Sequence, residues 1–198
     1  MCLSIPARVI ELKENPKKEK VAVVERGLGG KLQEIVIKFN NPVKVGYYVF
    51  TSGDYAFNVI SGRAAAKRRN RALKDFVKNE LGCKCPDDVF KRMKVNEKII
   101  MGNFQIDRRI IIGNKLLLYI LFNDSVDVLI KNLPYIIEYG IGDREKHGFN
   151  RLRIVILKDN IEIQNSLTTL ISKIERENQK AHVHVMSWPS NMDFVMFL

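Results

Sequence analysis

Short apolar runs set the rhythm of the first sixty residues. Residues 7–12 (ARVIEL), 20–25 (KVAVVE) and 32–39 (LQEIVIKF) are rich in Val and Ile and bounded by polar turns, the pattern of short strands. Pro16 among its lysines, then Gly27, Gly29 and Gly30, supply the breaks. Two further runs, Tyr47–Thr51 and Tyr55–Ile60, flank Ser52-Gly53-Asp54. Five such strands in succession predict a small closed barrel, because closure removes the edges they would otherwise expose. The period then lengthens. From Ala64 to Leu81, the positions Ala64, Ala65, Leu73, Phe76, Val77 and Leu81 make one apolar face of a helix, and Gly82 is placed to end it.

The second half follows another pattern. Cys83 to Lys94, with Pro86 and two aspartates, reads as a connector, which predicts one unit of residues 1–82, a linker at 83–95 and a second unit of residues 96–198. Lys115–Phe122 (KLLLYILF) is a continuous apolar run of strand length. Asp124 can cap a helix that runs to about Tyr139, with Pro134 as a kink and Gly140 as its stop. Arg151–Lys158 and Ile161–Gln164 alternate on either side of Asp159-Asn160, which predicts a hairpin. Ser166 can cap a helix over Leu167–Gln179, and His182–Met186 closes as a strand. The resulting β-α-β-β-α-β order is ferredoxin-like, so the fold class expected is a five-stranded barrel with a C-terminal helix followed by an α+β domain. Ile99–Ile112 and Phe194–Phe197 would add edge strands to that domain.

Charge changes the picture for the first half only. The formal net charge is +11, and residues 1–94 hold 20 basic against 10 acidic residues while 95–198 hold 13 against 12. Lys67, Arg68, Arg69 and Arg71 crowd the predicted helix. A block of this kind suits an acidic partner or nucleic acid, and it also suits a solvated helix face. No apolar run reaches the ~20 residues of a membrane span, and no charged segment followed by an apolar one opens the chain, so a cytoplasmic protein without a membrane partner is expected. Three cysteines argue against a disulfide framework and for reduced thiols.

One cysteine stands directly behind the initiator methionine, in the stretch Met1-Cys2-Leu3-Ser4-Ile5-Pro6-Ala7-Arg8-Val9-Ile10-Glu11. With a residue this small in second place, methionine removal leaves Cys2 with its thiol beside an α-ammonium. That charge favours thiolate, the metal-binding form. The stretch resembles the opening signature of the HypC/HupF family of hydrogenase assembly chaperones, five-stranded OB-like barrels with a helical tail. Val45-Gly46-Tyr47-Tyr48-Val49, with Ala56 and Val59-Ile60, is similar to the family's second segment, so the resemblance covers about residues 1–80. The histidine of that segment falls at Ser52 here and its glycine at Asp54. The resemblance implies that Cys2 transiently carries iron, as its cyanide and carbonyl complex, between a maturation scaffold protein and the hydrogenase large-subunit precursor. It further implies that Pro6 directs the terminal segment into the barrel. A basic helix is a departure, since this helix is usually acid-rich in the family.

The remaining candidates lie in the second half. The segment from Tyr139 to Asn150 is similar to the glycine-rich loop of ferredoxin-like CRISPR repeat-processing (RAMP) endoribonucleases. Gly140, Gly142 and Gly148 would let backbone approach phosphate, and Arg144, Lys146 and His147 would add charge. The near-neutral second half weighs against a phosphate surface, and a glycine loop before a strand is the plainer reading. Cys83-Lys84-Cys85 could pinch a metal, though no second pair completes a zinc site. His182 and His184 alternate on one strand face without a third ligand nearby in sequence. Nothing resembles a catalytic triad or paired carboxylates, so a non-enzymatic chaperone is expected. Its rival is an RNA-binding protein in which Tyr47, Tyr48, Phe50, Tyr55 and Phe57 form a stacking platform. Those aromatics would equally suit the barrel core.

Overall fold

In the computed structural model, residues 6–26, 31–101, 104–122, 125–158, 161–189 and 194 are described. The chain divides into two units, one of residues 1–76 and 190–198 and one of residues 77–189. The division therefore falls at 76/77 rather than within 83–95, and the residues expected to be a linker carry a 3₁₀ turn, Asp87–Lys91, and the start of a strand. Phe90 is buried there, which a solvated connector would not do.

The first unit holds β1 (Pro6–Glu14), β2 (Lys20–Arg26), β3 (Leu32–Ile37), β4 (Tyr48–Ser52), β5 (Tyr55–Ile60) and helix α1 (Gly62–Asp75). The strands form a closed barrel in the order β1-β2-β3-β5-β4, with β3 and β5 closing it in parallel. Strand alternation sends Ala7, Val9, Ala22, Val24, Ile35, Val49 and Ala56 inward, all fully buried. These are small or β-branched side chains, which fill a narrow barrel without voids and favour extended backbone. Asn15 shapes the β1–β2 turn, its Oδ1 accepting the Lys17 and Glu19 N–H groups at 3.0 and 2.9 Å.

The second unit is one mixed sheet with helices. Its strands are β6 (Met93–Met101), β7 (Phe104–Ile112), β8 (Leu116–Leu121), β9 (Arg151–Leu157) and β10 (Ala181–Met186), in the order β10-β9-β8-β7-β6. β6, β7 and β8 pair antiparallel, whereas β8, β9 and β10 run parallel. Helix α2 (Val126–Lys146) connects β8 to β9, and α3 (Ile161–Glu177) connects β9 to β10. The α+β class stands, but the order is β-β-β-α-β-α-β and not the ferredoxin-like one. Two short stretches account for the difference. Ile99–Ile112 holds parts of two paired strands, with Met101 opposite Phe104. The alternation at Ile161–Gln164 opens a helix, whose Leu167, Ile171 and Ile174 meet the core at helical spacing.

All six residues of β8 are buried, as expected of a strand covered on both faces. Leu117, Tyr119 and Leu121 join Leu129, Leu133, Ile136 and Ile137 of α2 in the main core, where each fully buried aliphatic chain contributes about 1.5–3 kcal/mol. The β7–β8 hairpin turns through Gly113 (φ 58°) and Asn114 (φ 53°), in a three-residue connection closed by the Lys115 N–H on the Ile112 carbonyl at 3.1 Å. A Cβ at Gly113 would lie 2.5 Å from Val89 Cγ1, so glycine is required there twice over. The Phe194–Phe197 strand lies outside the described residues except for Phe194, which is helical and buried. No described helix is long and apolar enough to cross a membrane.

Candidate functional site

The described barrel begins at Pro6, which is buried at the head of β1 opposite Phe50 on β4. Cys2 lies outside the described residues. β4 continues past Phe50 to Thr51 and to Ser52, which is exposed and pairs with Tyr55. The aromatic residues here do not fill the core. Phe57 and Tyr55 are each 53% exposed, Phe50 and Phe57 lie with ring centroids 6.5 Å apart, and Lys38 Nζ sits 5.5 Å from the Tyr55 ring. The interior is narrow and taken by Ala7, Val9, Ala22, Val49 and Ala56, so the rings of β4 and β5 are turned outward.

Helix α1 starts at Ser61, whose hydroxyl accepts the Ala64 N–H at 3.2 Å. Ala65, Ala72 and Leu73 are its buried side. At 100° per residue, Arg63, Lys67, Arg71 and Lys74 share one outward stripe, and Arg68 stands at its flank. Arg69 differs. It is half-buried toward the packed side, and its Nε, like Asn70 Oδ1, has no hydrogen-bond partner among the described residues. Of the four cations singled out in the sequence, Lys67, Arg68 and Arg71 are therefore exposed and brought together. Arg63 belongs with them, and helical spacing from Lys67 was the signal for it.

Residues 1–71 match the model of the HupF/HypC family. The match spans the barrel and ends within α1. It associates this unit with hydrogenase-maturation chaperones and leaves the second unit outside. No curated protein matches the chain.

The second unit places its candidates differently from the sequence reading. Gly140, Gly142, Arg144 and Lys146 belong to α2, which runs six residues beyond its expected stop. Their backbone N–H groups are committed to the helix, and His147 N–H and Phe149 N–H still bond back to Asp143 and Arg144 carbonyls at 3.3 and 2.9 Å. There is no glycine loop to cradle phosphate. Gly140 is a packing residue, since a Cβ there would lie 2.7 Å from Leu152 Cδ2 and 3.1 Å from Tyr119 Cε2. Gly148 follows the helix end at φ 67°.

Asp143, which sequence reasoning passed over, holds this end of α2 to the sheet. Its carboxylate accepts Arg109 Nε–H and Nη2–H at 2.7 and 2.8 Å and the Tyr119 hydroxyl. Burial raises its pKa, but the Arg109 and Tyr119 hydrogen bonds outweigh that and leave it below the usual carboxylate range. Burial, then the Asp143 carboxylate, pushes the Tyr119 phenol far up, so it stays a donor. Arg144 is buried and spans Asn178 Oδ1 at 3.0 Å and Glu145 Oε1 at 2.8 Å. His147 is exposed, with Nδ1 2.9 Å from the Asp143 carbonyl.

His182 and His184 do share a face of β10, but they do not form a metal pair. His184 Nε2 lies 2.7 Å from Arg153 Nη1, and burial followed by that guanidinium pushes its pKa down to about 4. A cation already occupies the nitrogen that a metal would need. Cys83 and Cys85 are joined in a disulfide instead of standing as reduced thiols. Among the described residues, no group of three or more His, Cys, Asp or Glu is placed to hold a metal ion.

Proposed function

We propose that this chain is a hydrogenase-maturation chaperone of HypC/HupF type whose cargo is iron or its cyanide and carbonyl complex, held by Cys2. The observation that supports this reading is the family match over residues 1–71, which spans the closed five-stranded barrel. A single thiolate suits transient holding of a soft metal complex, because release needs no closed site to open. The barrel end around Pro6 and Phe50 then docks the scaffold and the large-subunit precursor. The α1 stripe of Arg63, Lys67, Arg71 and Lys74 steers acidic surfaces toward it. With serine at position 52 the cargo lacks the family's imidazole, so Cys2 carries more of the binding.

Cys2→Ala tests this directly. The fold should be unchanged by circular dichroism, while iron co-purifying with the protein and hydrogenase activity in a complemented null strain should both be lost. Full activity with the variant would overturn the reading. A second reading, single-stranded nucleic-acid binding by the barrel unit, is supported by the outward aromatics Tyr55 and Phe57 beside Lys38 and by the α1 stripe. It loses the glycine loop, which is helix.

A further inference from the structure

The N-terminal ends of β8 and β9 lie side by side, Leu116 opposite Arg151 and Leu118 opposite Arg153. The Lys115 carbonyl accepts both the Asn150 and the Arg151 N–H, at 2.8 and 3.2 Å, which fixes Lys115 beside Arg151. Strand alternation puts Arg151 and Arg153 on one face. Against that face lies the Cys83–Val89 segment, held close by the glycine at 113. Between them is a cavity of about 120 Å³. Its walls are apolar at Cys83 and Val89, and its polar lining consists of Lys115, Asn150, Arg151 and Arg153 with no carboxylate.

Arg153 is the informative residue. It is half-buried, and its Nε is buried with no hydrogen-bond partner. Its Nη1 donates to His184 Nε2, a neutral imidazole at ordinary pH, which orients the guanidinium without neutralising it. The carboxylate acting on it through space is Glu175, which is itself engaged with the Val183 N–H at 3.2 Å and lies 3.5 Å from His182 Nδ1. Burying a cation without a close counter-charge is costly. Placing two more cations at the same cavity adds repulsion, unless an anion enters. The volume equals roughly four waters at about 30 Å³ each, enough for one tetrahedral oxyanion and too small for a nucleoside. Arginine forks match the oxygens of such an anion in pairs.

We infer that this cavity binds a phosphate group, either free or as the terminal phosphate of a nucleotide whose remainder projects into solvent. The site is independent of Cys2 and of the barrel.

Calorimetric titration of the full chain in phosphate-free, low-salt buffer tests the inference, with inorganic phosphate, AMP and adenosine as probes. Phosphate and AMP should bind with Kd below about 1 mM and adenosine should give no heat. Arg151→Gln and Lys115→Gln, both at exposed positions, should each weaken binding about tenfold, the loss of one charge-assisted hydrogen bond. Equal affinity for phosphate and AMP would identify the free anion as sufficient, and tenfold tighter AMP would identify a nucleotide. Both results support the site. Arg153→Gln should abolish binding, and if that variant fails to fold, the two exposed variants decide. No heat from either phosphate or AMP at 10 mM would overturn the inference, and so would adenosine binding as well as AMP, or wild-type affinity in both exposed variants.

Discussion

Removing the Asp143 carboxylate should unlock α2 from the sheet. In Asp143→Ala, Arg109 loses both of its side-chain acceptors and Tyr119 loses its hydroxyl partner. Both groups are buried, with Tyr119 fully so. Water cannot reach them without disrupting the packing of Gly140 on Leu152 and Tyr119. Breaking one side of such a pair costs about 3–5 kcal/mol, most of it from the stranded guanidinium. For a denaturant slope of about 2 kcal/mol/M, the urea midpoint should fall by about 2 M. Trp188 is the sole tryptophan and its ring lies 5.4 Å from that of Phe122, so its fluorescence reports this unit selectively. The double variant Asp143→Leu with Arg109→Met removes both charges and should recover most of the loss. A single-variant cost under about 1 kcal/mol, or a double variant no better than the single, would refute the claim that this pair fastens the helix.

Two further expectations concern charge. His184 has its folded pKa depressed to about 4 from an unfolded value near 6.5, so stability should be complete above pH 6.5 and decline as pH falls toward 4. The loss should be about 2 kcal/mol after allowance for partial exposure, and His184→Gln should flatten that part of a pH-dependent urea series. Converting Lys67, Arg68 and Arg71 to Gln should leave the barrel folded and slow association with an acidic partner at low salt. Wild-type single-stranded RNA binding should be weaker than about 1 μM at physiological salt. Tighter binding whose log–log salt slope drops by about 2 in the variant would favour the nucleic-acid reading over the chaperone.

Local periodicity made the barrel legible. Its five strands are short Val/Ile-rich runs separated by turn residues, and five of them in succession point to a closed barrel. The second unit was less legible because its decisive signals are short. Gly102-Asn103 is a turn dipeptide in the sequence, and that signal splits the 99–112 run into the two strands that pair there. Ile161-Glu162-Ile163-Gln164 spans too few residues to separate period 2 from period 3.6, and only Leu167, Ile171 and Ile174 resolve it. Gly140 resembled a helix stop because glycine is scored by propensity, whereas here a missing Cβ admits Leu152 and Tyr119. The outward rings of β4 and β5 were open to either reading from pattern alone. What settles them is exposure: Tyr55 and Phe57 are each 53% exposed, while Ala7, Val9, Ala22, Val24, Ile35, Val49 and Ala56 fill the interior.

Net charge misled in a more general way. The second half sums almost to neutrality, and that sum argued against any phosphate site there. The sum mixes two populations. Arg109 is committed to Asp143 and Arg144 to Glu145 and Asn178, so their charges are satisfied inside the unit and offer nothing to a ligand. Lys115, Arg151 and Arg153 converge on a cavity that no carboxylate lines. Coulomb interactions at contact distance outweigh those averaged over a domain, particularly where burial lowers the effective dielectric. Anion recognition therefore depends on which cations remain uncommitted in one place, and register decides that: one residue's slip of β9 would turn Arg151 and Arg153 to the helix-covered face and leave the cavity without its guanidinium groups.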